Sequence, residues 1–343
     1  AELDSEIAGC GAYDVAKENR IVGLKDELRH TAEETARAHI VDRLVREYEA
    51  YDADSALYYI GYGLREARMT GDEDNEMLLN IKRADIFAHA GLFSDALSVM
   101  ERIPHDKLEK ETKEKYYSAY CAIYQYLSEY TSDHEPAAEN EKMRRIYVDS
   151  LSLVADPESF DYLVNVMTER ARSGNVDETI TLYEDKLKGY KLGERNYSIL
   201  ASILAYLYKT KGNKEEYKRY LVLSAISDVK GAIKENMSFR ELATIMFEDG
   251  DIERANYYLK KSIADANFYS AMMRNAQSGR LLPLIDEAYT AAKDQLTGRL
   301  RLMVWTTGAL SLVLLLTVFM ILKQMKSLRK AKEKVSKAND EMS

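Results

Sequence analysis

The chain is expected to be all-α: a solenoid of stacked helical hairpins, then a single transmembrane helix and a short coiled coil. Three observations predict it: sparse chain breakers, glycines recurring every 38 residues, and one uncharged run of membrane length. Only 4 Pro and 16 Gly punctuate 343 residues, so long helices joined by short turns follow. No alternating Val/Ile/Thr run bounded by turn residues marks a half-buried strand. A hydrophobic content of 46% beside 31% charge is that of a folded chain rather than a disordered one.

Residues 1–50 are read as an N-terminal helical cap. The stretch Leu3 to His30 is charged and helical in composition, with Ile21, Leu24 and Leu28 on one stripe, and is expected to cap the first repeat. The string IAGC at Ile7 to Cys10 has the form of a bacterial lipidation box. Such a box follows a hydrophobic signal stretch, and here it follows Ala-Glu-Leu-Asp-Ser-Glu, so Cys10 is read as a helix residue. With Cys121 the only other cysteine and no C-x-x-C motif, there is no disulfide framework.

Residues 51–298 carry the repeats. Gly174, Gly212 and Gly250 open the strings GNVDETITLY, GNKEEYKRYL and GDIERANYYL, and a fourth copy opens at Gly91. Five residues after each glycine stands Ala96, Thr179, Tyr217 or Ala255; nine after stands Met100, Tyr183, Leu221 or Leu259; seven before stands Ala84, Met167, Ala205 or Ala243. A glycine followed by Asn or Asp ends a first helix through a left-handed cap, and small residues let the second helix pack closely. One hairpin alone leaves an apolar face uncovered, so successive hairpins stack. The order small, glycine, small, large resembles the tetratricopeptide repeat, with a period slightly above its usual ~34 residues. Lys107 to Glu158 fits the frame less well: TSDHEPAA, between helices at Tyr116 to Tyr130 and Glu139 to Val154, reads as an irregular insertion.

Residues 299–322 are assigned to a transmembrane helix. Leu302 to Leu322 is 21 residues without a charge. At ~1.5 Å per residue it matches the ~30 Å hydrocarbon core. A buried core helix is the alternative, but such helices are shorter and lack basic clusters at both edges. Lys293, Arg299 and Arg301 precede the run, whereas seven Lys/Arg follow it from Lys323 onward. The positive-inside rule therefore places the C-terminus in the cytoplasm and the repeats in the periplasm, with Trp305 near the outer interface of the inner membrane. An exported domain needs a signal peptide; since the chain opens at Ala1 rather than Met, its removal is expected.

Residues 323–343 form a basic segment of net +4, which leaves −13 of the overall −9 for everything before it. The acidic body argues against nucleic-acid binding by the residues present. In the basic segment Leu328, Ala331, Val335, Ala338 and Met342 continue from Ile321 at a and d positions, with Gln324 the polar member, as a two-stranded coiled coil requires. A homodimer through the seam Leu328, Ala331, Val335 and Ala338 is one reading. The other is a basic juxtamembrane helix against anionic lipid headgroups.

Three strings carry a wider likeness: LDSEIAGCGAYDVAKENRIVGLKDEL at 3–28, DADSALYYIGYGLREA at 52–67 and SLRKAKEKVSKANDEM at 327–342. Together with the repeats and the span, they resemble a family of Bacteroidetes membrane-anchored tetratricopeptide-repeat sensors and regulators. Its plan is exported repeats, one membrane helix and a cytoplasmic coiled coil. Related proteins of this plan end in a helix-turn-helix region or a histidine kinase, and neither output module is among the residues up to Ser343. The resemblance implies a signal receptor whose repeats bind a ligand, peptide or protein and relay the event to a regulatory module acting on transcription. The alternative is a membrane-tethered scaffold for envelope assembly.

No HExxH, P-loop, G-x-S-x-G or post-strand G-x-G-x-x-G motif occurs, and the 5 histidines lack metal-ligand spacing. Catalytic residues, metal ligands and a cofactor are therefore not assigned, and the chain is read as a non-enzyme. The 25 tyrosines are the unusual feature. Tyr183, Tyr208 and Tyr217 occupy core positions of the frame. Asp85, Thr168, Tyr206, Lys209, Arg240, Thr244 and Phe247 fall on the side of the first helices that a solenoid turns inward, and form the expected binding groove; an ordinary solvated face is the alternative.

Overall fold

A computed structural model describes residues 2–131 and 133–340, the side chains of 337–340 excepted. The described residues are 85% helical, with no strand among them. It divides into two compact units, Ala1–Ile285 and Asp286–Ser343.

The first unit opens with α1 (Glu2–Ala8) and α2 (Cys10–His30), separated at Gly9. Then come α3 (Glu34–Tyr48) with α4 (Ala53–Thr70), α5 (Glu73–Ala90) with α6 (Phe93–Met100), and α7 (Lys110–Tyr130) with α8 (His134–Val154). A π-helical turn at Tyr162–Met167 leads into α9 (Thr168–Arg172), paired with α10 (Val176–Leu187). The last pairs are α11 (Arg195–Thr210) with α12 (Lys214–Lys230) and α13 (Ser238–Glu248) with α14 (Ile252–Tyr269). The chain ends in α15 (Met272–Asp340).

The glycine frame is realised in the turns. Gly91, Gly174, Gly212 and Gly250 all take positive φ, between 74° and 132°, which lets the chain reverse without a Cβ penalty. The Asn or Asp that follows does a different job. Asn213 and Asp251 accept the backbone N–H three residues on, at 3.2 and 3.1 Å, and so cap the second helix. Around the turns, Ala84, Ala205, Ala243, Ala96, Thr179, Ala255, Met100, Tyr183, Leu221 and Leu259 are all sealed from solvent. Met167 and Tyr217 are partly covered. Tyr183 gives its phenol a buried partner, donating to the Leu163 carbonyl, while the Thr168 hydroxyl lies 3.0 Å away.

The TSDHEPAA segment is not an insertion. Helix α8 starts at His134, with Pro136 in its first turn, where a missing N–H costs nothing. Asp133 caps it by accepting from the Glu135 amide at 3.4 Å. The hairpin α7–α8 is therefore regular, with a stack of Tyr120 on Tyr147 at 4.1 Å between ring centres.

The two ends of this unit meet. Leu3 and Ile7 of α1 join the core of α10–α14, and Tyr258 donates to Asp4 at 2.7 Å. Ile21, Leu24 and Leu28 of α2 pack with α3 and α4, in one cluster with Ala266, Tyr269 and Ala271. The Tyr269 hydroxyl donates to the Glu49 carbonyl at 2.9 Å, and the Lys234 amide donates to the Ala50 carbonyl at 2.8 Å. The first hairpin thus closes on the last.

In the second unit the helix carries the apolar run Leu302 to Leu322, and the run is uncovered. Leu314 and Leu315 are 66% and 67% exposed, and Met272–Ser336 contains a stretch long and apolar enough to cross a membrane. Thr306, Thr307, Ser311 and Thr317 each donate a hydroxyl to a carbonyl three or four residues back. The same back-bond is made in the first unit by Thr70, Thr131, Ser150 and Thr210, as is usual for helical Ser and Thr.

Candidate functional site: an interior cavity

Stacked hairpins turn their first helices inward, and in the first unit these helices wall a cavity of about 490 Å³. Asp85 and His89 come from α5, Gln125 and Tyr126 from α7, Asn165 and Thr168 from the π-turn and α9, and Arg195, Asn196, Ser202 and Tyr206 from α11. The turn after α12 adds Glu235 and Asn236, and the first turn of α15 adds Arg274. Such a volume suits a small molecule.

The charged groups form a connected set. Arg274 donates through Nε and Nη2 to Glu235 Oε1 at 3.2 and 3.1 Å, with its guanidinium 5.5 Å from the centre of the Tyr126 ring. His89 Nε2 lies 3.9 Å from Glu235 Oε2, and Arg195 bonds Glu49 at 2.8 Å. Burial pushes the Glu235 carboxyl up, but Arg274, His89 and Arg195 outweigh it and hold the group below the usual carboxylate range. Asp228 behaves in the opposite way. Burial, with only the Ser198 and Ser238 hydroxyls to oppose it, pushes its carboxyl up to about 8.

Several polar groups in the wall are unspent. The Asn236 Nδ2 donates to Asp265 at 3.1 Å, but its buried Oδ1 has no hydrogen-bond partner among the described residues. The amide of Asn196 and the hydroxyls of Ser202 and Tyr206 also line the cavity without a side-chain hydrogen bond among the described residues, but they are not sealed: Asn196 and Ser202 are half-buried and Tyr206 is 42% exposed. The buried Asn236 oxygen is costly unless something completes it, whereas the other three are open to a ligand or to water. With Tyr126, Tyr206 and Phe160 among them, the wall offers flat apolar faces beside hydrogen-bonding groups.

Of the groove residues expected from the repeat frame, Asp85, Thr168 and Tyr206 are brought together in this wall. Lys209, Arg240, Thr244 and Phe247 are not. They stand on α11 and α13, where Lys209 reaches Glu241 at 3.3 Å and Arg240 reaches it at 2.9 Å. Thr244 donates to the Arg240 carbonyl at 3.1 Å, and Phe247 packs on the late-repeat core. In the basic segment Leu328 and Val335 are about 70% exposed, at 70% and 69%. Ala331 is also exposed. Ala338 and Met342 lie outside the described side chains.

Frame reasoning missed Arg195, Glu235, Asn236, Tyr126 and Arg274. Glu235 and Asn236 stand in a turn between hairpins, and Arg274 lies beyond the last repeat. Only the closure of the first hairpin on the last brings Arg274 to helices α5 and α7.

No curated protein is similar enough in sequence to count as a relative. Residues 7–280 match the family described as the SusR N-terminal TPR domain. That stretch includes every hairpin and every side chain named in the cavity wall, and the chain therefore belongs to the SusR N-terminal TPR domain family.

Proposed function

We propose that the chain is a single-pass membrane sensor of the Sus type. Its repeat unit lies in the periplasm and takes a small polar ligand into the interior cavity. The C-terminal helix crosses the inner membrane and relays occupancy to a cytoplasmic module that regulates transcription. One observation carries the reading: Arg274, in the cavity wall, stands on the helix that contains the membrane-length apolar run. A ligand that competes for Glu235, Tyr126 or Arg274 acts directly on that helix, which gives it the differential contact a switch requires. The unpaired groups at Asn196, Ser202, Tyr206 and Asn236 favour a ligand bearing several hydroxyl or amide groups. A peptide scaffold is less well supported, because the closing contacts of Tyr269 and Lys234 join the ends of what would otherwise be an open groove. On the cytoplasmic side, pairing of two copies through Leu328, Ala331, Val335 and Ala338 supplies the relay.

Thermal shift of the full chain in nanodiscs, run against a panel of small neutral and zwitterionic solutes, tests this. A solute that raises Tm should lose about five- to 150-fold in affinity with Asn196→Ala or Tyr206→Ala, the ~1–3 kcal/mol of a hydrogen bond lost from the bound complex. In membranes the same solute should change the disulfide rate of cysteines at Leu328 and Val335 more than at Lys330 and Lys334. Affinity indifferent to both wall substitutions removes the cavity from the account.

A further inference from the structure

The first described turns of the basic segment carry two faces. At 3.6 residues per turn, Lys323, Lys326, Lys330 and Lys334 fall within about 80° of one another around α15. Ile321, Gln324, Leu328, Ala331 and Val335 fall within a second sector of about 80°, roughly 140° away. The apolar seam and the lysine stripe therefore do not compete for one face. None of the four lysines has an ion-pair partner among the described residues; the acid in this stretch, Glu333, lies 3.9 Å from Arg329. All four are exposed.

We infer that the lysine stripe is a binding face for anionic lipid headgroups, present together with the dimer seam rather than instead of it. The inference rests on the membrane reading above. Its support is position and charge. The stripe starts one residue after Leu322, where the apolar run ends. At ~1.5 Å per residue Lys323 and Lys326 lie within about 6 Å of that edge and Lys330 within about 12 Å. This is the range in which a headgroup layer and its surface potential act, the Debye length being about 10 Å. Long lysine stems can also reach back toward the interface. Lys334, at about 18 Å, is largely out of reach. An acidic protein lying along the helix would use all four equally, whereas a lipid surface grades them by distance.

The test uses the full chain with Cys10 and Cys121 replaced by Ser and a bimane label on a cysteine at Ser327. It is reconstituted in vesicles of equal phosphatidylcholine and phosphatidylglycerol, with either lipid brominated in turn. Quenching should show the anionic lipid enriched at least threefold around the label, falling to parity in ~1 M salt, where the Debye length is ~3 Å. Lys323→Gln with Lys326→Gln should remove most of the enrichment and Lys334→Gln little of it. No enrichment in a chain that resists carbonate extraction overturns the lipid face while leaving the membrane anchor standing. An effect of Lys334→Gln as large as that of Lys323→Gln also overturns it. Release of the chain by carbonate overturns the anchor itself, and the inference with it.

Discussion

Leu204 and Leu314 are the same residue in the same kind of helix, yet Leu204 is fully sealed and Leu314 is 66% exposed. In the repeat unit the helices bury apolar residues such as Leu204, Leu242 and Leu259 against one another. Along the membrane-length run there is no charge, and its four hydroxyls are turned back onto their own helix. An uncovered apolar helix of that length is costly in water and at home in lipid, which supports the proposed membrane span. Hydrophobicity holds the repeats together by burial against protein. In the second unit it selects the surroundings.

The largest expected effect breaks this symmetry directly. Leu204→Ala should lower the stability of the repeat unit by about 2–5 kcal/mol, the usual consequence of a cavity in a close-packed core. Leu314→Ala should leave the urea midpoint of the repeats unchanged, because no repeat core depends on it. Equal losses from the two would mean that the apolar run packs as protein core.

A smaller effect sharpens the account of closure. Gly212 has φ 74° and open space around a notional Cβ, so Gly212→Ala should lose roughly 1–2 kcal/mol from the left-handed backbone alone. At Gly91 φ is 88° and the same Cβ would stand 3.1 Å from the Met273 amide. Gly91→Ala should therefore cost clearly more, and chemical denaturation of the pair measures the difference.

The smallest effect is one of pH. Asp228 keeps its proton to about pH 8 in the folded chain. When unfolded it releases it near ~3.9. Between those values the unfolded state binds fewer protons, so this group's contribution lowers stability as pH rises. Asp228→Asn should raise Tm relative to the parent by a few degrees at pH 8 and by less at pH 5. An advantage that does not grow with pH would place an ionised carboxylate at that position.

Much of the repeat architecture was legible because it is local. Gly174, Gly212 and Gly250 announce their turns, and Ala205, Ala243 and Leu221, each seven or nine residues from its turn glycine, announce the close-packed contacts. The regular α7–α8 hairpin was obscured because its turn lacks a glycine and because Pro136 looks like a breaker until it is seen in a first helical turn. The cavity was legible only in part. Asp85, Thr168 and Tyr206 follow from helical periodicity, but Glu235 and Asn236 sit in a turn without a period. Arg274 arrives by a closure held by pairs such as Tyr269 with Glu49, which are 220 residues apart. No local pattern encodes such a contact.

Sided labelling in intact spheroplasts tests the central claim most directly, using a background with Cys10 and Cys121 replaced by Ser and single cysteines at Ala138 or Ser336. Both positions are exposed, so accessibility reports the side of the membrane and not burial. A membrane-impermeant thiol reagent should modify the Ala138→Cys chain and spare Ser336→Cys until the membrane is permeabilised. Modification of Ser336→Cys alone, or of both at equal rates, would contradict a periplasmic repeat unit joined to a cytoplasmic segment by one spanning helix.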